Sequence, residues 1–185
     1  MPKIIVTASQ WIEVGLRAFA EGGMDALVIE KMAASLQCSK SSFYWYFENR
    51  SSFVAGIVQE WTERATHRLI SDTTAHSGTP DEQLLALLTR MFASTGNGDF
   101  LFHLRRLAHS EPQYAAALEE VEARRIAFVS ELLQRKGQTE HAAAEKSWIV
   151  YHYYLGWYER HKHTAVSAED AQRHARMVWQ ACLQS

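Results

Sequence analysis

Three observations predict an all-α fold. The chain of 185 residues holds 3 prolines and 9 glycines, strict alternation of apolar and polar residues is hard to find, and apolar residues recur at helical spacing. About nine helical segments follow in order from their start and stop signals. Residues 7–21 repeat Trp11, Ile12, Leu16 and Phe19 on one face and stop at Gly22-Gly23, a good carboxy-terminal signal. Residues 29–36 make a short helix. Ser39 is expected to cap a second short one reaching Phe47, its hydroxyl taking an amide left open at a helix start. Asn49-Arg50-Ser51 opens a long helix through Phe53, Ile57, Trp61, Ala65 and Leu69. Thr79, Pro80, Asp81 and Glu82 combine an N-cap, a first-position proline and first-turn acids, so a helix begins there and runs to about residue 94. Gly96-Asn97-Gly98 separates it from a segment over 100–109, and Pro112 marks a break before a helix to about Lys136, ended by Gly137. Residues 139–161 and 167–183 complete the chain, the last opened by Ser167 with Asp170 three positions on, close to a capping box.

Composition narrows the function. With 47% hydrophobic and 22% charged residues the chain is globular rather than disordered. Lys plus Arg number 19 against 21 Asp plus Glu, a formal charge of -2, so any attraction to nucleic acid must be local. The start, Met1 to Val6, lacks the apolar core of a signal peptide, and no window approaches the roughly 18 apolar residues of a membrane span. A cytoplasmic location without a membrane partner is therefore expected. Cys38 and Cys182 lie far apart and form no C-x-x-C, so both are expected as reduced, packed thiols.

The first 50 residues carry the strongest signal. Two short helices joined by a tight turn through Gln37-Cys38-Ser39 have the proportions of a helix-turn-helix, closed into a three-helix core by the first long helix. At 100° per residue, Phe43 and Phe47 share the inner face of the second short helix, while Ser41, Ser42 and Trp45 share the outer one. Lys40 and Tyr44 lie on one flank of that outer stripe and Tyr46 on the other, where a helix in the major groove brings side chains against phosphates.

Gly15 to Gly23, Ile29 to Ala33 and above all the run Cys38-Ser-Lys-Ser-Ser-Phe-Tyr-Trp-Tyr-Phe-Glu-Asn-Arg50 resemble the amino-terminal domain of the tetracycline-repressor (TetR) family. The motif match covers about the first 55 residues; the remainder agrees in helix count, length and order. Two positions depart from the family pattern: Val28 stands where Ser or Thr commonly caps the second helix, and Gln37 where Gly commonly makes the turn. A lost cap costs about 0.5 to 2 kcal/mol, and a left-handed non-Gly residue roughly 1 to 2 kcal/mol. The resemblance implies a DNA-binding domain over residues 1–50, with Ser39, Lys40, Ser41, Ser42, Tyr44, Trp45, Tyr46 and Arg50 at the DNA. Lys3, Arg17, Lys31, Lys40 and Arg50 are balanced by Glu13, Glu21, Asp25, Glu30 and Glu48, so this head is formally neutral. DNA binding then rests on the placement of Lys40, Tyr44 and Arg50 at phosphates, doubled by dimerisation.

Residues 51–185 form the body, which carries no catalytic signature: no G-x-S-x-G, no glycine-rich phosphate loop, no H-E-x-x-H and no Glu-x-x-His. Acid-to-His pairs at i, i+4 occur at Glu63 and His67, Asp72 and His76, Asp99 and His103, and Asp170 and His174, with His161 and His163 near a helix end. Exposed helix pairs and helix-end partners account for these, and no metal or cofactor is expected. The stretch from Trp148 to Tyr158 is apolar nearly all round and must be covered on more than one side. One stripe is Trp148, Tyr151, Leu155 and Tyr158; the other is Val150, Tyr154, Trp157 and His161, with Gly156 permitting close approach of a neighbour.

From the resemblance, the last two helices are expected to make a homodimer interface through Tyr154, Trp157, Ala171, Ala175, Val178 and Trp179. The same resemblance implies an effector cavity, for which Phe92, Phe100, His103, Tyr114, Trp148, Tyr151 and His152 are the candidate liners, suited to an apolar or aromatic ligand. The sequence thus reads as a non-enzymatic, ligand-responsive repressor that binds an inverted-repeat DNA operator as a homodimer. A protein-interaction module that kept the fold and lost DNA binding is the first alternative, and a metal-binding helical bundle the second.

Overall fold

The computed structural model describes residues 6–74, 78–93 and 99–184, with side chains described at all of these except 65–70 and 72–74. Among them are nine α-helices and no strand: α1 (Ala8–Gly22), α2 (Ile29–Ser35), α3 (Ser41–Tyr46), α4 (Arg50–Thr74), α5 (Pro80–Ala93), α6 (Phe100–Ser110), α7 (Pro112–Arg135), α8 (Glu140–His161) and α9 (Ala168–Val178). A 3-10 turn, Gly23–Ala26, follows α1, and a π turn, Trp179–Leu183, follows α9. The expected order is therefore observed, except that the last helix widens after Val178 instead of running on in α form. The pairs Glu63–His67 and Asp72–His76, the apolar positions Ala65 and Leu69, the segment Met1 to Ile5 and the Gly96-Asn97-Gly98 break lie wholly or partly outside the described residues and side chains.

Caps explain where the helices start. Thr7 and Gln10 form a capping box on α1, the Thr7 hydroxyl accepting from the Gln10 amide and the Gln10 side chain accepting from the Thr7 amide. Thr79 and Glu82 repeat the arrangement on α5, and the Ser167 hydroxyl accepts from the Asp170 amide on α9. Asp99 caps α6, a role its sequence pairing with His103 did not suggest. Ser39 does not cap: α3 begins at Ser41, and the Ser39 hydroxyl instead bonds that of Ser41 at 2.6 Å.

Two compact units divide the chain, Met1–Arg64 with Gly98–Leu118, and Ala65–Asn97 with Glu119–Ser185. The core of the first gathers Trp11, Phe19, Phe43, Phe53, Ile57 and Leu104. α1 crosses α4 closely at Gly15, where an added Cβ would lie 2.6 Å from both Phe53 and Ile57. α1 and α6 are joined by the Asp99 amide donating to the Ala20 carbonyl at 2.8 Å, and by Phe100 packing on Phe19. Gly23 adopts φ 62°, and a Cβ there would meet the His103 ring at 2.5 Å.

The second unit packs α5 against α8 and α9 around Leu84, Leu87, Leu88, Phe92, Leu132 and Val150. Lys136, just past α7, bridges Asp81 at 2.8 Å and donates to the Leu183 carbonyl, while the Trp179 indole also donates to Asp81. Among the described residues no helix is long and apolar enough to cross a membrane.

Candidate nucleic-acid interface

α2 and α3 are short, and each is held by a few contacts that fix the direction of α3. Val28, at the cap position of α2, makes no side-chain cap bond. The turn is carried by Gln37 at φ 53°, a left-handed conformation that a glycine would adopt without strain. Past it, the Cys38 amide donates to the Ala33 carbonyl at 3.0 Å, and Cys38 is a free, half-buried thiol. Phe43 and Phe47 are buried against Trp11 and Phe53, with ring centroids about 5 Å apart.

That packing sends the other face of α3 outward. Tyr44 is 58%, Trp45 82% and Tyr46 38% exposed, three consecutive aromatics standing in solvent on a six-residue helix. Ser39, Lys40, Ser41 and Arg50 are exposed beside them. Ser42 differs from expectation: it is half-buried, and its hydroxyl accepts the Trp11 indole N–H at 3.3 Å, so the inner face of α3 is wider than the two phenylalanines alone define.

The cations are partly engaged. The Lys40 ammonium lies 3.6 Å from Glu30, both two-thirds exposed, a pair of the kind worth at most about 1 kcal/mol. Arg50 donates to the Met24 carbonyl, which ties the start of α4 to the 3-10 turn. Arg64 on α4 bridges Glu13 and Glu60, and these hydrogen bonds hold its guanidinium more firmly charged. Glu48 is exposed next to α3.

The aromatic residues expected from sequence at an effector are divided between the two units. Phe100, His103 and Tyr114 belong to the first, where Phe100 stacks on Trp61 at 4.7 Å and Tyr114 is buried. Phe92, Trp148, Tyr151 and His152 belong to the second. There Phe92 and Tyr151 are buried, whereas Trp148 and His152 are exposed and stacked on each other at 3.9 Å.

The two stripes expected on α8 are also redistributed. Ala143, Ser147, Val150, Tyr151 and Trp157 make a single broad inner face, with Trp157 edge-on to Phe92 at 4.9 Å. Ala171, Ala175 and Val178 are fully buried within this unit, Tyr154 and Trp179 are half-buried, and Trp157 is covered as well. The residues expected to meet a partner are thus mostly consumed by the chain's own core. The outward apolar side chains are Trp148, Ile149 and Tyr153 of α8 and Met177 of α9, which the sequence did not single out as a set. A Cβ added at Gly156 would meet nothing within 4 Å, so the close approach expected there is not made among the described residues. Among the described residues no group of three or more His, Cys, Asp or Glu could hold a metal ion.

Residues 12–57, which span α1 to the first turns of α4, match the family model described as bacterial regulatory proteins, tetR family. No curated protein matches the sequence. Solved structures do. A TetR-family transcriptional regulator from Mesorhizobium loti MAFF303099 aligns with TM-score 0.74 at 21% identity, covering 96% of this chain and 95% of that one. Reduced NemR of E. coli aligns with TM-score 0.76 at 17% identity, covering 94% and 97%. FadR of Bacillus subtilis, solved in complex with stearoyl-CoA, aligns with TM-score 0.66 at 14% identity, covering 96% and 98%. These likenesses show the fold.

Proposed function

We propose that this TetR-like chain is a DNA-binding transcriptional regulator, a repressor that grips an inverted-repeat operator as a homodimer and lets go when a small apolar or aromatic effector binds. The observation that carries this reading is the outward triplet Tyr44-Trp45-Tyr46 with Lys40 and Ser41 on a helix whose other face is locked into the core. Three exposed aromatics are costly to leave in water unless a partner covers them. A major groove suits them, since Trp45 can meet thymine methyls while the Tyr44 hydroxyl and Lys40 reach phosphates. Residues 1–50 then serve as the DNA-binding domain and residues 51–185 as the effector and dimerisation domain.

The dimer surface supported by exposure is the face of α8 bearing Trp148, Ile149 and Tyr153. In a dimer the two recognition helices reach half-sites one helical turn of DNA apart, or a multiple of it. An effector that binds better to a conformation with the heads apart weakens DNA binding by that difference in affinity and by no more. That FadR was solved with an acyl-CoA supports a ligand-binding role for a body of this fold.

Selection from a random duplex library at near-physiological salt tests the reading. The expected outcome is an enriched inverted repeat, with operator affinity abolished in Lys40→Ala/Tyr44→Ala while the dimer persists. A second reading, a protein-interaction module, is favoured by the Lys40–Glu30 pair and by Arg50 bonding a backbone carbonyl. No enrichment from a folded dimer overturns the DNA-binding reading and favours that alternative.

A further inference from the structure

A cleft of about 430 Å³ opens where α8 ends and α9 begins, within the second unit, walled by Trp157, His161, Val166, Arg173, His174 and Met177. That volume lies in the range of small-molecule sites, roughly 300 to 1,000 Å³. None of these side chains is among the effector liners expected from the sequence.

The walls have a defined chemistry. The Trp157 ring stacks on His161 with centroids 4.4 Å apart and lies 5.5 Å from His174, and Trp157 is 9% exposed, so this side of the cleft offers a ligand the rim of an aromatic cluster. His161 Nδ1 sits 2.8 Å from the Trp157 carbonyl. A carbonyl only accepts, so Nδ1 carries the proton and Nε2 is the atom left to take up another. His174 Nε2 is 2.7 Å from the Tyr153 hydroxyl, and its ring stands edge-on to Phe92 at 4.7 Å. Asp170 holds Arg173 by one guanidinium nitrogen, and its other oxygen accepts the Ser167 hydroxyl at 2.8 Å. The carboxylate is thereby committed, whereas a guanidinium has five donors.

We infer that this cleft binds a small, flat aromatic carboxylate, its ring against the rim of the Trp157–His161 stack beside Val166 and Met177 and its carboxylate at Arg173, near His161 and His174. An aromatic cation would meet Arg173 and two groups that can become cations, against one carboxylate already occupied. A carboxylate meets the reverse, and its arrival favours protonation of His174. Burial first, then repulsion from His161 and Arg173, holds His174 below the usual histidine range, so a negative ligand relieves part of that pressure. The titratable and charged groups around His174 are Tyr153 and His161 from α8, Asp170 and Arg173 from α9, and Cys182 beyond Tyr153. The inference names an effector class for the regulator proposed above and rests on that reading only for its regulatory consequence; the binding stands on the cleft.

Isothermal titration of the full chain without DNA, using salicylate and its neutral analogue salicylamide, tests it. Salicylate is expected to bind once per chain, roughly tenfold or more tighter than the amide, more tightly at about pH 6 than at about pH 8, and with proton uptake read from buffers of different ionisation enthalpy. Arg173→Gln, at an exposed position that leaves the core intact, is expected to weaken salicylate roughly tenfold without lowering the melting temperature. Equal affinity for acid and amide, absence of proton uptake, or an unaffected Arg173→Gln variant overturns the inference. Such a failure leaves the operator selection untouched, and a failed selection leaves the titration untouched.

Discussion

The Trp11 indole donates to the Ser42 hydroxyl at 3.3 Å, linking the first helix of the head to the exposed one. Trp11 is wholly buried and edge-on to Phe43 at 5.3 Å, so α3 is fixed by a ring contact and a hydrogen bond at adjacent positions. Ser42→Ala leaves the buried indole N–H without its acceptor and is expected to destabilise the protein by about 1 to 3 kcal/mol. Ser41→Ala, whose hydroxyl meets only the exposed Ser39, is expected to change stability by less than about 0.5 kcal/mol. Urea midpoints of the two variants check the contrast; equal loss in both contradicts it.

Gln37 at φ 53° supplies the turn between α2 and α3 at the expense of strain. Gln37→Gly removes that strain while adding freedom to the unfolded chain, so a net gain of up to about 1 kcal/mol is expected. Gln37→Val, branched at Cβ, is expected to lose more than about 1 kcal/mol, because that side chain tolerates the left-handed region poorly. Thermal unfolding of the pair gives both signs in one experiment.

Turns such as this were legible in the sequence because they depend on a few neighbouring residues. Gly22-Gly23, Thr79-Pro80 and Ser167-Asp170 each announced a helix end or start that the structure contains, and the burial of Phe43 and Phe47 opposite Trp45 follows from helical spacing alone. The faces of α8 did not follow in the same way. A helix apolar all round offers no minority polar face to orient it, so its inner side is chosen by what it meets, here Phe92 of α5 and His174 of α9. Trp148 and Trp157 look alike in sequence; one is exposed and the other packed because of a helix that lies far earlier in the chain. The partial burial of Ser42 escapes the sequence for a related reason, since nothing local says that an indole nitrogen from α1 arrives at its hydroxyl.

Lys136 joins two distant parts of the second unit: Asp81 at the start of α5, and the turn at 179–183 through the Leu183 carbonyl and the Trp179 ring 5.4 Å away. Its side chain is mostly covered, at 16% exposed, so the ion pair is less screened than a surface one. Lys136→Met retains the aliphatic stem but leaves Asp81 and the carbonyl without their cation. A loss of about 1 to 3 kcal/mol is expected, with faster amide exchange confined first to the turn at 179–183. Uniform acceleration across α9 and α5 speaks instead for global destabilisation.

His174 gives the second unit a pH dependence of definite sign. Its folded value is lowered from 6.5, chiefly by burial and then by His161 and Arg173, so the unfolded chain binds the proton more readily. Stability is therefore complete above the unfolded value and falls as pH drops from there through the lower folded value, then levels. His174→Gln keeps a polar group near Tyr153 and removes this contribution. Unfolding midpoints of the two proteins are expected to run parallel above about pH 7 and to converge as pH falls toward about 5, the wild type losing more. Parallel curves throughout contradict the assignment.

Ile149 and Ala171 separate the proposed dimer face from the core that the sequence reading assigned to it. Ile149 is 52% exposed next to Trp148 and Tyr153, whereas Ala171 is fully enclosed. Ile149→Glu places a charge where a second copy would press, a burial that is unfavourable without a partner charge, yet it costs the isolated chain little. The expected product is a folded monomer by sedimentation equilibrium, with far-UV circular dichroism unchanged and operator affinity lost because the two half-sites are no longer gripped together. Ala171→Leu overfills the packing against α5 and is expected to destabilise by about 1 to 3 kcal/mol. An Ile149→Glu protein that stays dimeric sinks this face and directs attention to other surfaces, since the buried Ala171, Ala175 and Val178 cannot reach a partner while α5 and α9 remain packed.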